Sequence, residues 1–270
     1  MITEVENLNP WFIESSSKAR LVSHTPSPEE MMGYVARVTS KDQSNPSVGK
    51  LLKYCAKHGH WSVFEHATMT LEVVTPLAIA IQLLRHRSFT FQQFSGRYED
   101  QSFMREYTQD LSSFMEMFYM PEQARLQDTK NRQNSIVAED ASLTDFMWGE
   151  LEFAYRACIR SYTNMLDKGI AKELARFALP EGVFSRVYVT GNCRSWIHYI
   201  AARDDKGVAQ DEHCELAQCA KQVFANVFPT VHGAINWDKH LDTDLDALTK
   251  ELEEAKAEIK TLKFVLSSQP

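Results

Sequence analysis

Between Pro76 and Tyr98 the chain has no acidic residue. The stretch opens as PLAIAIQLL, apolar at every position from Leu77 to Leu84 except Gln82, and then becomes RHRSFTFQQFSGRY at residues 85–98. A segment so apolar is expected to be a helix buried on most of its sides. The rest of the fold must surround it, and its last turn must carry Arg85, His86 and Arg87 out of the core. A helix C-terminus attracts cations by about 0.3–1 kcal/mol, which accounts for one arginine more easily than for a cluster. A desolvated, unpaired guanidinium costs several kcal/mol. Glu99 and Asp100 are the first acids nearby. Either distant carboxylates satisfy Arg85, Arg87 and Arg97, or an anionic ligand does, and the planar arginine fork suits a phosphate.

Such an anion site has to be local, because the chain as a whole is acidic: 270 residues with a formal net charge of -7. That balance argues against non-specific binding to a nucleic-acid polymer or an anionic membrane. Apolar residues at 44% and charged residues at 24% fit a soluble globular protein of one large domain or two small ones. The five cysteines, Cys55, Cys158, Cys193, Cys214 and Cys219, are odd in number and form no C-x-x-C. They point to a reducing, cytoplasmic setting and not to a disulfide framework. The N-terminal MITEVENLNPWFIE has no signal-peptide character, and no stretch approaches the roughly 20 apolar residues that span a bilayer. His58, His60 and His66 lack an H-E-x-x-H frame, and Cys214 and Cys219 have no second pair, so no metal is expected. There is no P-loop and no G-x-G-x-x-G.

Hydrophobic spacing predicts the elements. Residues 1–45 are weakly patterned, apart from a turn and helix start in SHTPSPEE with Pro28 near the first helical position. Helices are expected over 46–58, about 144–168 (stopped by Gly169), 171–179 (ended by Pro180), 194–203 and about 209–228. Residues 67–73 alternate as a strand, with Ala67, Met69, Leu71 and Val73 facing in and Thr68, Thr70 and Glu72 facing out. Thr75-Pro76 then reads as a cap and first turn, Gly191-Asn192 as a turn after a strand at 183–190, and 121–140 as a loop. From residue 243 Leu245, Leu248, Leu252, Ala255, Ile259, Leu262 and Leu266 alternate spacings of three and four, as in a coiled coil or a single helix lying on its own domain.

The cluster continues into Ser95-Gly96-Arg97, a weak signal by itself, which offers a hydroxyl, close backbone approach and a guanidinium to one phosphate. Phe89, Phe91, Phe94 and Tyr98 read either as core or as a surface on which a ring could stack. Arg85-His86-Arg87, seven residues, then Ser95 makes R-H-R-x7-S. With KHGHWSVFEH (57–66), QLLRHR, SGRY, ELARFALP (173–180) and NCRS followed by Arg203, all in order, residues 20–235 resemble the flavin-dependent thymidylate synthases.

The resemblance implies an α+β fold of mixed helices around a small sheet, in a domain of residues 1–242; the heptad spacing, and not the resemblance, makes 243–266 a coiled-coil-like C-terminal helix outside the family core. The resemblance also implies a homotetramer with active sites shared between chains. FAD would be the cofactor, with NADPH and 5,10-methylenetetrahydrofolate as co-substrates, and dUMP would be methylated at C5. Gln82, Arg85, Gln93, Phe94, Ser95, Gly96, Arg97, Arg176 and Arg203 match the dUMP-binding positions, with Ser95, Gly96 and Arg97 at the phosphate. His60, Ser62, Arg85, His86, Arg87, Gln93, Asn192, Arg194 and His198 match the FAD positions, and Arg203 the arginine that activates the uracil ring. Each has a plainer reading: Arg176 as an i,i+3 partner of Glu173, Asn192 as a helix cap, His60 as a surface histidine, Arg203 as a partner of Asp204 and Asp205. Gln93 stands where the family often has glutamate, and His198 where some members have asparagine. Unlike the cysteine-dependent thymidylate synthases, this pattern uses no thiol at Cys193. Two other functions fit the same residues: a related flavin and folate enzyme acting on another pyrimidine nucleotide, or a non-catalytic nucleotide-binding oligomer.

Overall fold

The computed structural model describes residues 10–97 and 115–237. Its strands in chain order are β1 (Phe12–Ile13), β2 (Lys18–His24), β3 (Thr68–Pro76), β4 (Thr90–Gln93), β5 (Arg125–Gln127), β6 (Ser135–Val137) and β7 (Phe184–Asn192). Five of them form one antiparallel sheet in the order β1-β2-β3-β7-β4, and β5 and β6 form a separate hairpin. The helices are α1 (Pro28–Ala36), α2 (Gly49–Lys57), α3 (Leu77–Leu83), α4 (Ser142–Asp167), α5 (Lys172–Ala175), α6 (Cys193–Arg203), α7 (Asp211–Val227) and α8 (Pro229–His232). This is the mixed α+β architecture expected. The heptads after 242 and Tyr98 lie outside the described residues. Among the described residues no helix is long and apolar enough to cross a membrane.

One face of the sheet makes the core. Met69, Leu71 and Val73 from β3 and Val187 and Val189 from β7 are buried against Trp196, Tyr199 and Ile200 of α6 and Val223 and Phe224 of α7. Burying each such side chain contributes about 1.5–3 kcal/mol relative to exposure. A smaller cluster gathers Tyr155 and Ile159 of α4 against Phe118 and Val183.

The differences from the expectations have local causes. Thr75 and Pro76 continue β3, paired with Ser185 and Phe184, and do not cap α3. The buried Thr75 hydroxyl instead meets Ser17 Oγ at 2.8 Å, and the first amides of α3 donate to the carbonyls of Val183 (2.9 Å) and Glu181 (3.1 Å). With its orphan N–H groups satisfied by the neighbouring chain, α3 needs no side-chain cap. It ends at Leu83, so Arg85 and His86 lie on the tighter turn that follows, their amides bonded to Gln82 and Leu83 carbonyls. Ile79, Ala80 and Leu83 are buried while Ile81 is 47% exposed, so one side of this helix is open. Glu72 does not face solvent: it is buried between Arg20 (2.6 Å) and Arg186 (3.3 Å). Gly191 and Asn192 are the last residues of β7, which enters α6 directly. The short helix after Gly169 is α5 followed by a 3-10 turn at Arg176–Ala178. The expected loop over 121–140 contains the β5–β6 hairpin, anchored by Arg125 on Asp211 and Glu212.

Candidate active site

The direct passage from β7 into α6 sets the site. Asn192, extended, caps α6 by accepting from the Ser195 amide at 2.8 Å, so its plainer role is real in this chain. Eleven residues on, α6 ends at Arg203, whose Nε donates to His86 Nε2 at 3.2 Å. The sheet thereby joins the turn after α3 to the far end of α6. Asp204 does not pair with Arg203, being turned to Lys221 (2.7 Å) and Gln218 (3.2 Å). No carboxylate of the described residues forms an ion pair with Arg203, Arg85, Arg87 or Arg176.

Around Arg203 the imidazoles are held neutral. Burial pushes His86 below its usual value, and the charges of Arg203 and Arg85 push it further. Burial, then Arg203, then His86 push His213 down to about 3. His86 stands edge-on to Tyr199 with centroids 4.9 Å apart, and Tyr199 is 5.8 Å from His213. His213 Nδ1 lies 3.1 Å from Gln82 Oε1, and Gln82 Nε2 donates to Gln210 Oε1 at 2.8 Å. Gln210 in turn donates to the buried Glu212 at 2.8 Å. Burial alone would raise the Glu212 carboxyl, but its own backbone amide, Gln210 and Arg125 outweigh this and hold it below the usual range. Gln82, His86 and Arg203 were legible as candidates; Tyr199, Gln210, Glu212 and His213 were not. At the start of α7, Asp211 and Glu212 look like the acids that any helix N-terminus favours.

A second group forms where β4 ends. Gln93 donates to Ser185 Oγ at 3.0 Å and the Phe94 amide to the Arg186 carbonyl at 2.8 Å, which fixes the chain before Ser95-Gly96-Arg97. The Ser95 hydroxyl accepts from the Arg97 amide at 3.4 Å. A Cβ at Gly96 would stand 3.9 Å from Arg176 side-chain carbons, so the loop and Arg176 are in contact range. Glu173 pairs with Arg97 at 3.6 Å, and Arg176, exposed, sits over the Phe177 ring at 5.9 Å. The i,i+3 pair of Glu173 with Arg176 is therefore not made. Phe89 belongs to the core, 4.5 Å from Trp196.

The third group lines α6 and the 3-10 turn at Trp61–Glu65. Arg194 donates to His198 Nε2 at 3.4 Å and pairs with Glu65, a partner the sequence did not announce. His198 stands 5.6 Å from the Trp61 ring beside a cleft of about 630 Å³ that Lys53, Lys57 and Ile235 also line. His60 stacks at 5.8 Å on Tyr54, and Ser62 is exposed. Burial first, and then Glu29, raise the Cys193 thiol well above its usual value, so it is no ready nucleophile.

The family described as Thymidylate synthase complementing protein matches residues 20–230. A flavin-dependent thymidylate synthase of Synechocystis sp. is 44% identical over 211 residues, covering 78% of this chain and 91% of that protein. A probable flavin-dependent thymidylate synthase of Paramecium bursaria Chlorella virus 1 is 45% identical over 215 residues, 77% of this chain and 91% of the relative. The crystal structure of a UMP/dUMP methylase, PolB from Streptomyces cacaoi, bound with 5-Br dUMP, superposes with a TM-score of 0.68 at 27% identity. It covers 82% of this chain and 95% of that one.

Proposed function

From the membership of this chain in the flavin-dependent thymidylate synthase family, we propose that it converts dUMP to dTMP, with FAD as cofactor and 5,10-methylenetetrahydrofolate and NADPH as co-substrates. The carbon added at C5 comes from the folate, and the C5 hydrogen leaves as a proton. The observation that carries the residue assignment is Arg203, held by a neutral His86 and paired with no carboxylate of the described residues. A guanidinium left uncompensated beside the base stabilises negative charge spreading over uracil N3 and O2, which raises electron density at C5. Arginine keeps its proton in proteins, so its part is electrostatic. His86, being neutral, orients this charge without opposing it.

The remaining assignments follow the three groups. Ser95, Gly96, Arg97 and Arg176 hold the dUMP phosphate; Gln82, Gln93 and Phe94 face the nucleoside, and Arg85 reaches both nucleotides. Binding a phosphate at Arg97 draws its guanidinium away from Glu173, an exposed pair worth only about 0.2–1 kcal/mol. The donor set also fits a dinucleotide diphosphate: Arg85 and Arg87 are exposed and meet no carboxylate among the described residues. His60, Ser62, His86, Gln93, Asn192, Arg194 and His198 complete that side, with the Asn192 side-chain oxygen already serving the helix. A flavin held by these residues and reduced by NADPH would supply the hydride that turns the transferred carbon into a methyl group.

The working form is a homotetramer in the cytoplasm, whose sites combine residues of neighbouring chains. Supporting it are the large exposures of Phe146 (66%), Phe153 (75%) and Phe177 (79%), and five cysteines that are all free. The test is incubation of the flavin-loaded protein with methylenetetrahydrofolate, NADPH and either dUMP or UMP, followed by product mass. A gain of one CH2 unit on dUMP is expected. A product carrying a hydroxymethyl group, or none with a flavin-loaded protein, contradicts the proposal.

A further inference from the structure

The Gln82 amide is held from two sides, and hydrogen-bond polarity decides which way round it lies. Glu212 is 2% exposed, and its ionised carboxylate can only accept. Arg125 and Tyr119 (3.0 Å) donate to Oε1, and Gln210 Nε2 donates to Oε2 at 2.8 Å. Gln210 therefore turns its oxygen toward Gln82, which must answer with its own Nε2, at 2.8 Å. The Gln82 oxygen is left facing His213 Nδ1 at 3.1 Å, so that nitrogen carries the imidazole proton. His213 is fully buried, and its Nε2 meets no hydrogen-bond partner among the described residues. Its depressed pKa agrees with a single proton, at Nδ1. Each member thus orders the next, from a buried carboxylate to one side-chain amide. Gln82 keeps a free lone pair on Oε1 and a free hydrogen on Nε2.

We propose that Gln210 and Glu212 are positioning residues that fix the Gln82 amide in one orientation, with the His213 tautomer following from it, and that the site thereby takes a uracil and refuses a cytosine. The proposal rests on Gln82 facing the base, as assigned above. Uracil presents an N3–H donor beside the O4 acceptor, whereas cytosine presents an N3 acceptor beside an amino donor. An amide fixed one way matches one of these edges and sets donor against donor and acceptor against acceptor at the other. An amide free to turn over would satisfy either.

The test is calorimetric binding of dUMP and of dCMP to the flavin-loaded full chain, as wild type, Gln210→Met, His213→Leu and Gln82→Ala, and as Gln210→Met combined with Gln82→Ala. Thermal midpoints are recorded alongside, so that loss of fold is not mistaken for loss of orientation. Gln210→Met is expected to weaken dUMP by about tenfold, the scale of one lost hydrogen bond, and to leave dCMP unchanged or tighter. His213→Leu, which leaves Gln210 in place, is expected to keep the preference for dUMP over dCMP. In the Gln82→Ala background Gln210→Met should have no further effect on dUMP. If Gln210→Met weakens both nucleotides alike, or adds in full to Gln82→Ala, Gln210 is merely structural and the proposal is overturned. If Gln82→Ala binds dUMP normally, the assignment of Gln82 fails first and takes the proposal with it.

Discussion

Arg203 and His213 show how one residue's environment decides its use. Arg203 donates to His86 and the His213 ring lies 6.0 Å from it, yet it is His213 that gives up its charge. Arg203 and Tyr199 from α6, His86 from the turn after α3 and Gln82 from α3 all face the His213 ring, and no carboxylate among them stabilises an imidazolium. The consequence is a pH dependence. The unfolded chain takes up this proton below the usual value of 6.5, whereas the folded chain resists until about 3. Between those values the unfolded state binds more protons, so stability falls as pH falls, by about 1.4 kcal/mol per pH unit for one proton. His86, also depressed, acts in the same sense. Thermal midpoints of the flavin-loaded protein are expected to drop from pH 6.5 toward pH 4, and less steeply in His213→Leu. Equal slopes in the two proteins would show that His213 does not resist protonation.

At the scale of the elements, the sheet is built so closely around β7 that a single methyl matters. A Cβ at Gly191 would stand 2.4 Å from a Phe89 ring carbon, and that ring packs against Trp196. Gly191→Ala therefore forces β4 and α6 apart at the junction that aims Asn192 and Arg203. Overpacking of this kind costs about 1–3 kcal/mol. A lowered urea midpoint with an unchanged slope is the expected result; an unchanged midpoint would mean that Phe89 moves aside freely. The alternation of Met69, Leu71 and Val73 and the helical spacing along α4 were readable because each element has one buried face. β1 and the β5–β6 hairpin were not, since two or three residues carry no period and their pairing comes from distant partners such as Arg125. Thr75-Pro76 misled for the same reason. Its local capping pattern is ordinary, but nine ladder pairs between β3 and β7 outweigh it. In the site, Arg85, Arg87 and Arg97 were legible from the absence of nearby acids, whereas Arg176 and Arg203, each close to an acid in sequence, came only from the resemblance. The relay through Gln210 and Glu212 was invisible because it joins residues 128 positions apart.

At the scale of the whole molecule, an acidic chain leaves arginines without a carboxylate where the proposal places two nucleotides. Glu72 holds Arg20 and Arg186, and Asp211 and Glu212 hold Arg125, while Arg85, Arg87, Arg176 and Arg203 are left without a carboxylate among the described residues. The division is not complete, because Arg97 and Arg194, which the proposal also places at the nucleotides, pair with Glu173 and Glu65. The most direct measurement of that division is release of tritium from C5-labelled dUMP by Arg203→Ala, with flavin content and dUMP binding recorded on the same preparation. The account predicts a variant that keeps its flavin and still binds dUMP, with release slowed by about 10²–10³-fold, the scale of one lost electrostatic contact to the transition state. Release at the wild-type rate would contradict it.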